Sequence, residues 1–188
     1  MDNGSIHWFA LKTFYNKLFY VKKELDEAGW KTYVAMTQVE KFNKSGKLEY
    51  VEKPLIGQIM FVQCSRSYLV DFKDKHEKDM MFYRDLSTGL PAPIDDVEMR
   101  SFIILTSAPG RRIELLDMDM PTYRKGQRVR VINGIYKGAE GYIKKIKSDR
   151  KLLVALNGVA VVAVSYIPPA YLEPLEEECD IHSFQNKV

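Results

Sequence analysis

Two hydrophobic periods alternate along the first hundred residues. His7 to Phe14 (HWFALKTF) is aromatic and apolar enough for a buried strand. From Asn16 to Gly29 the spacing of Leu18, Val21, Leu25 and Ala28 predicts a helix, with Lys22, Lys23, Glu24 and Glu27 on its wet face and Gly29 as its stop. Lys31 to Met36 reads as a second strand, and Lys41 to Lys47 (KFNKSGK) as a hairpin tip. Pro54 precedes an apolar run, Leu55 to Val62, broken only by Gly57 and Gln58. Ser67 to Glu77 predicts a second helix and Met80 to Tyr83 a short strand. Asp95-x-x-Glu98 is a capping-box pattern opening a third helix, whose apolar side carries Val97, Met99, Phe102 and Ile103. This order predicts an α+β sandwich, an antiparallel sheet covered by helices.

The texture changes after Ala108-Pro109-Gly110. Arg111 to Thr122 (RRIELLDMDMPT) has no clear period and reads as a linker. Beyond it, Gln127 to Ile132 alternates apolar and basic residues, Asn133-Gly134 and Asn157-Gly158 signal turns, and Tyr142–Lys147, Leu152–Leu156 and Val159–Ile167 continue as strands until Pro168-Pro169. Short strands at this density predict a small all-β barrel. The expected organisation is a first domain over 1–109, a linker over 110–122, a barrel over 123–174 and an acidic, loose tail over 175–188.

Charge sharpens that division. The net charge of +3 conceals 15 basic and 15 acidic residues in 1–109 against 10 basic and 3 acidic in 123–174. The barrel is therefore the cationic module, and Arg128, Arg130, Lys137, Lys144 and Lys145 are its candidate nucleic-acid contacts, with Lys17 a further candidate beside the first helix. A solvated basic face is the alternative reading for each of them. No apolar run reaches the roughly 18 residues of a membrane span, and no signal-peptide pattern opens the chain. The expectation is a cytoplasmic, monomeric protein without membrane contact. Cys64 and Cys179 are far apart, and His7, His76 and His182 lack ligand spacing, so neither a disulfide nor a metal is expected. No G-x-S-x-G, P-loop or G-x-G-x-x-G occurs and the carboxylates are scattered among lysines; no enzyme, catalytic residue or cofactor is expected.

The segment Lys125 to Ile143 (KGQRVRVINGIYKGAEGYI) resembles a KOW motif. Alternation there buries Val129 and Val131 and turns Arg128 and Arg130 outward, while Gly138 and Gly141 stand where the backbone must turn. Trp8-Phe9-Ala10-Leu11 resembles the opening strand of the NusG N-terminal (NGN) domain, and Leu90 to Met99 (LPAPIDDVEM) resembles the segment leading into that domain's last helix. NGN, linker and an SH3-like KOW barrel, in this order, resemble the NusG family over residues 6–174. Phe14-Tyr15-Asn16-Lys17 with Pro54-Leu55-Ile56 is most similar to specialised paralogues of the UpxY and RfaH antiterminator type.

The resemblance implies a transcription elongation and antitermination factor. Its NGN domain would bind the clamp helices of the largest RNA polymerase subunit and suppress pausing or termination at a surface-polysaccharide (capsular) operon. The positions matching the family's apolar contact are Phe14, Tyr15, Ile56 and Ile59. Nascent RNA or non-template DNA, and a ribosomal protein or termination factor on the KOW barrel, are further partners the resemblance brings in. The chain departs from the family pattern twice: Gly57-Gln58-Ile59 stands where many members have Pro-Gly-Tyr, and no aromatic residue occupies the hairpin near Leu156 to Val159. Two other readings stay open, an RNA- or ribosome-binding adaptor acting through the basic barrel, and a general NusG.

Overall fold

The computed structural model describes residues 4–109, 113–116, 126–146, 149–156, 158–165 and 167–175. The tail beyond 175, and 110–112 and 117–122 of the expected linker, lie outside the described residues.

The central strand β1 (Ile6–Thr13) pairs antiparallel with β5 (Ile59–Ser65), β6 (Met80–Phe82) and the short β7 (Pro93–Ile94); β2 (Lys31–Tyr33) lies outside β5. The sheet is apolar on both faces because both are covered. Phe9 and Leu11, with Met60, Val62 and Cys64, meet Leu18, Val21 and Leu25 of α1 (Leu18–Glu27) and Leu69 and Phe72 of α2 (Arg66–Lys75). Trp8, Ala10 and Phe61 point the other way, onto Met99, Phe102 and Leu105 of α3 (Asp96–Ser107). The period of two along each strand sorts these residues between layers. The helix stop reads as expected, since Gly29 takes φ +84°, but Ala28 is exposed, so the apolar stripe of α1 ends at Leu25.

The strand expected at Lys31 to Met36 is two strands. β2 stays in the central sheet, whereas β3 (Met36–Phe42) leaves it to form a separate two-stranded sheet with β4 (Leu48–Pro54). The hairpin tip falls at Asn43–Lys47, where the Asn43 Oδ1 accepts from the Ser45 and Lys47 N–H groups at 3.0 and 2.9 Å. The side chain thus supplies the turn its own hydrogen bonds.

The C-terminal sheet has the order β13-β9-β10-β11-β12-β8. Four members, β9 (Gln127–Val131), β10 (Glu140–Ile146), β11 (Asp149–Leu156) and β12 (Ala160–Ser165), correspond to strands read from the sequence; β11 and β12 are buried along most of their length instead of alternating. β13 (Leu172–Pro174) returns to pair with β9 after a 3-10 turn at Pro169–Tyr171. β8 (Ile113–Leu116) is a correction: it comes from the segment read as aperiodic linker, and it pairs antiparallel with β12 from Val161↔Leu116 to Val164↔Ile113. Four residues are too few to display a period, and the open edge of β12 decides their conformation. Lys151, buried in β11, holds Glu114 of β8 by an ion pair.

The two units touch through α3. Its Met99, Phe102 and Leu105 face the central sheet, while Ser101 and Ile104 face the barrel: the Ser101 Oγ accepts the Glu140 N–H at 2.9 Å, and Ile104 lies against Gly138.

Candidate functional site

Phe14 and Tyr15 leave β1 in a turn that two unusual conformations define. Tyr15 and Asn16 have φ of 49° and 59°, the left-handed region, which costs a non-glycine residue energy unless the surroundings hold it. The neighbouring turn does the holding. The Thr13 N–H donates to the Gln58 carbonyl at 2.8 Å, and the Gln58 Nε2 donates to the Asn16 Oδ1 at 3.3 Å. From the other side the Phe14 N–H donates to the Asp79 carbonyl at 2.8 Å. Two segments more than forty residues apart are thereby clamped at one end of the sheet.

The four predicted apolar contacts sit on those segments but not equally. Tyr15 is 86% exposed and touches Phe14 edge-on, with 6.5 Å between ring centres. Phe14, Ile56 and Ile59 are half-buried, and both isoleucines pack against the core on the α3 side. Ile59 pairs with Lys12, which pairs in turn with Met81, so Ile59, Lys12 and Met81 form one row across β5, β1 and β6. Met81 is exposed, as are Phe19 and Tyr20 on α1. Sequence reasoning missed these three. The signal at α1 was legible, because Phe19-Tyr20 interrupts an otherwise charged outer face; Met81 reads as an ordinary strand residue until its neighbours are known. Lys17 stands over the Tyr20 ring at 4.8 Å, a cation–π contact, instead of projecting freely. Tyr20 titrates above its ordinary value, first because of its hydrogen bond to Glu24.

The basic barrel residues divide between faces. Val129 and Val131 are buried and Arg128 and Arg130 point outward, as the alternation predicts. Both arginines are engaged by Glu140 of β10: Arg128 Nη2 reaches Oε2 at 3.2 Å, and Arg130 Nη2 and Nε reach Oε1 at 2.8 and 3.0 Å. Lys144 and Lys145 are adjacent in β10 and so lie on opposite faces, opposite Lys151 and Arg150 respectively. Lys137 is exposed beyond the Gly134 turn. The structure thus gathers the two arginines with a carboxylate and separates the lysines from one another.

The remaining polar chemistry is structural. Burial pushes the Cys64 thiol up to about 12. His76 stacks on Phe72 and its Nε2 lies 3.2 Å from Glu24, tying the end of α2 to α1. Among the described residues, no group of histidine, cysteine and carboxylate side chains could hold a metal ion, and no helix is long and apolar enough to cross a membrane.

A family model described as transcription termination factor NusG matches residues 6–103, more than half of the chain. The chain belongs to the NusG family. NusG proteins are transcription elongation and termination factors that bind RNA polymerase and are not enzymes. The fold is the NusG fold, an α+β unit followed by an all-β one. Among solved structures, the chain is similar to the NusG of Thermotoga maritima described under "Domain interaction in Thermotoga maritima NusG", at 19% identity and a TM-score of 0.43, covering 92% of this chain and 98% of that one. No curated protein matches.

Proposed function

We propose that this NusG-family protein is an elongation and antitermination factor whose NGN unit, residues 1–109, binds the clamp helices of the largest RNA polymerase subunit through Phe14, Tyr15, Ile56 and Ile59. The carrying observation is the clamped pair of turns, which brings an exposed aromatic and two half-buried isoleucines to one end of a rigid sheet. Phe19, Tyr20 and Met81 are the further apolar side chains available to such a surface. The chemistry required is binding alone. A factor with higher affinity for the elongating polymerase than for the paused one shifts the population toward elongation.

The resemblance of Phe14 to Lys17 and Pro54 to Ile56 to specialised paralogues supports action at a surface-polysaccharide operon. The protein then works as a cytoplasmic monomer, with a C-terminal KOW barrel whose sheet β8 (Ile113–Leu116) completes.

The test is capture of purified core RNA polymerase by the full chain, compared with Tyr15→Asp and Ile56→Asp. Tyr15 buries little, so its substitution probes the surface with least disturbance of the core. Loss of capture by both variants with far-ultraviolet circular dichroism unchanged is the expected result. Normal capture by both sinks the proposed surface.

The second reading, an RNA- or ribosome-binding adaptor acting through the barrel, is favoured by the excess of basic residues in 123–174 and by exposed Lys137 and Lys145. RNA binding by the full chain without any polymerase capture would favour it.

A further inference from the structure

Two pairs of cations face each other across β10 and β11, and they are not equivalent. Lys144 stands opposite Lys151, and Lys151 is held by Glu114 of β8. Lys145 stands opposite Arg150 on the other face of the strands, and among the described residues no carboxylate pairs with either. Like charges directly opposite one another destabilise a sheet. This second pair stands at the rim of a cavity of about 190 Å³ in the end of the barrel. Gln127, Ile143 and Leu152 form one row across β9, β10 and β11; Lys145 and Arg150 form the next row outward on the same face. Val129, Ile143, Leu152, Ile167 and Leu172 wall the cavity, and the side chains of Gln127 and Arg150 supply its polar groups. Arg150 begins β11, so this opening lies at the far end of the strand from Leu156 and the turn at Gly158.

We propose that this end of the barrel is a binding site for a small amphipathic organic acid, its apolar body in the cavity and its carboxylate between Arg150 and Lys145. An apolar cavity of about 150 Å³ is enough to take up benzene, so this one has room for a substituted ring or a branched chain of similar size. The aliphatic walls offer the body no hydrogen bond, which selects a hydrocarbon. At the rim the Arg150 guanidinium presents paired donors to a carboxylate, and the Lys145 ammonium meets the same charge from the facing strand. The Gln127 amide supplies a further donor from β9. A bound carboxylate also removes the repulsion between the two cations, which the free protein has no acid to relieve. A nucleic-acid phosphate would meet the cations but leave the cavity unfilled, so the combination favours an amphipathic molecule. The site belongs to the barrel and is independent of the proposed polymerase surface on the first unit.

The experiment is a titration of the nitrogen-labelled full chain with cyclohexanecarboxylate at neutral pH and low ionic strength, followed by amide chemical shifts. Saturable shifts are expected at Gln127, Ile143, Lys145, Arg150 and Leu172. Acetate carries the charge without the body and cyclohexanecarboxamide the body without the charge; each should bind about tenfold more weakly or worse. Arg150 and Lys145 are both exposed, so Arg150→Gln and Lys145→Gln leave the barrel folded. Arg150→Gln should weaken binding about tenfold, and Lys145→Gln should weaken it in the same direction. Without ligand, each variant should melt at a higher temperature than the parent at low salt, and the gain should shrink as salt is added. Absence of saturable shifts with cyclohexanecarboxylate overturns the site. Equal binding of acetate reduces it to surface charge, and equal binding of the amide, or affinity unchanged in Arg150→Gln, removes the cations from it; each of these results overturns the proposal.

Discussion

Gly141 in β10 has no room for a methyl group. A Cβ there would sit 2.3 Å from the Leu153 carbonyl oxygen and 3.1 Å from the Leu152 Cδ1. Because the first contact is backbone, Gly141→Ala is expected to destabilise the barrel by about 1–3 kcal/mol, read as a lower urea midpoint at unchanged slope. Asp85 offers a pH test. The Ser87 hydroxyl first, then the Thr88 and Ser87 N–H groups, hold its carboxyl down at about 2 from 3.8. A depressed folded pKa contributes stability that is complete above 3.8 and disappears as the pH falls toward about 2. Asp85→Asn should therefore lower the melting temperature at neutral pH, with the difference from the parent shrinking as the pH approaches 2; a constant difference would exclude the mechanism. Cys64, raised to about 12 by burial, stays a thiol at neutral pH. Alkylation of the native protein at pH 8 should leave it unmodified by mass spectrometry. At this scale the sequence was informative about identity and blind to geometry: Cys64 is legible as a buried small residue after an apolar strand, but nothing in Asp85-Leu86-Ser87-Thr88 announces four donors converging on one oxygen.

Asp95 connects the residue to the element. Its Oδ1 accepts from the Val97 and Glu98 N–H groups at 2.8 and 3.0 Å, satisfying two donors that α3 leaves open. Asp95→Ala is expected to cost about 1 kcal/mol, measurable by urea unfolding. Ser65, the cap of α2, accepts a single longer bond of 3.3 Å, so its truncation should cost less than that of Asp95. The start of α3 was legible because capping is local chemistry, whereas α2, expected from Ser67, begins at Arg66 behind the Ser65 cap. The limits of β2 and β3 were not legible. Tyr33 belongs to the central sheet and Met36 to a separate hairpin, yet nothing between them, Val34-Ala35, signals a break. The Leu55 N–H donates to the Ala35 carbonyl at 2.7 Å, so the division is made by a partner twenty residues away. β8 teaches the same lesson more strongly, since Ile113-Glu114-Leu115-Leu116 is a strand only because β12 offers an edge.

Across the whole molecule, α3 carries the most consequence, because both of its faces are used. Met99, Phe102 and Leu105 close the core of the first unit, and Ser101 and Ile104 meet the barrel. Ile104→Asp should separate the units and enlarge the radius of gyration by small-angle scattering, with circular dichroism retained; an unchanged radius would mean that this contact is dispensable. By itself, the sequence determined the three helices, most of the strands, the α+β unit followed by an all-β one, and the family. Those properties follow from periodicity, caps, turn residues and charge, all of which act over a few neighbouring residues. Tertiary structure alone decided that Tyr15 is presented while Ile56 and Ile59 lean on the core, that four linker residues complete a sheet, and that Glu140 links the arginines to α3. Each of these depends on groups distant in the chain competing for one partner, and no local pattern records which of them wins.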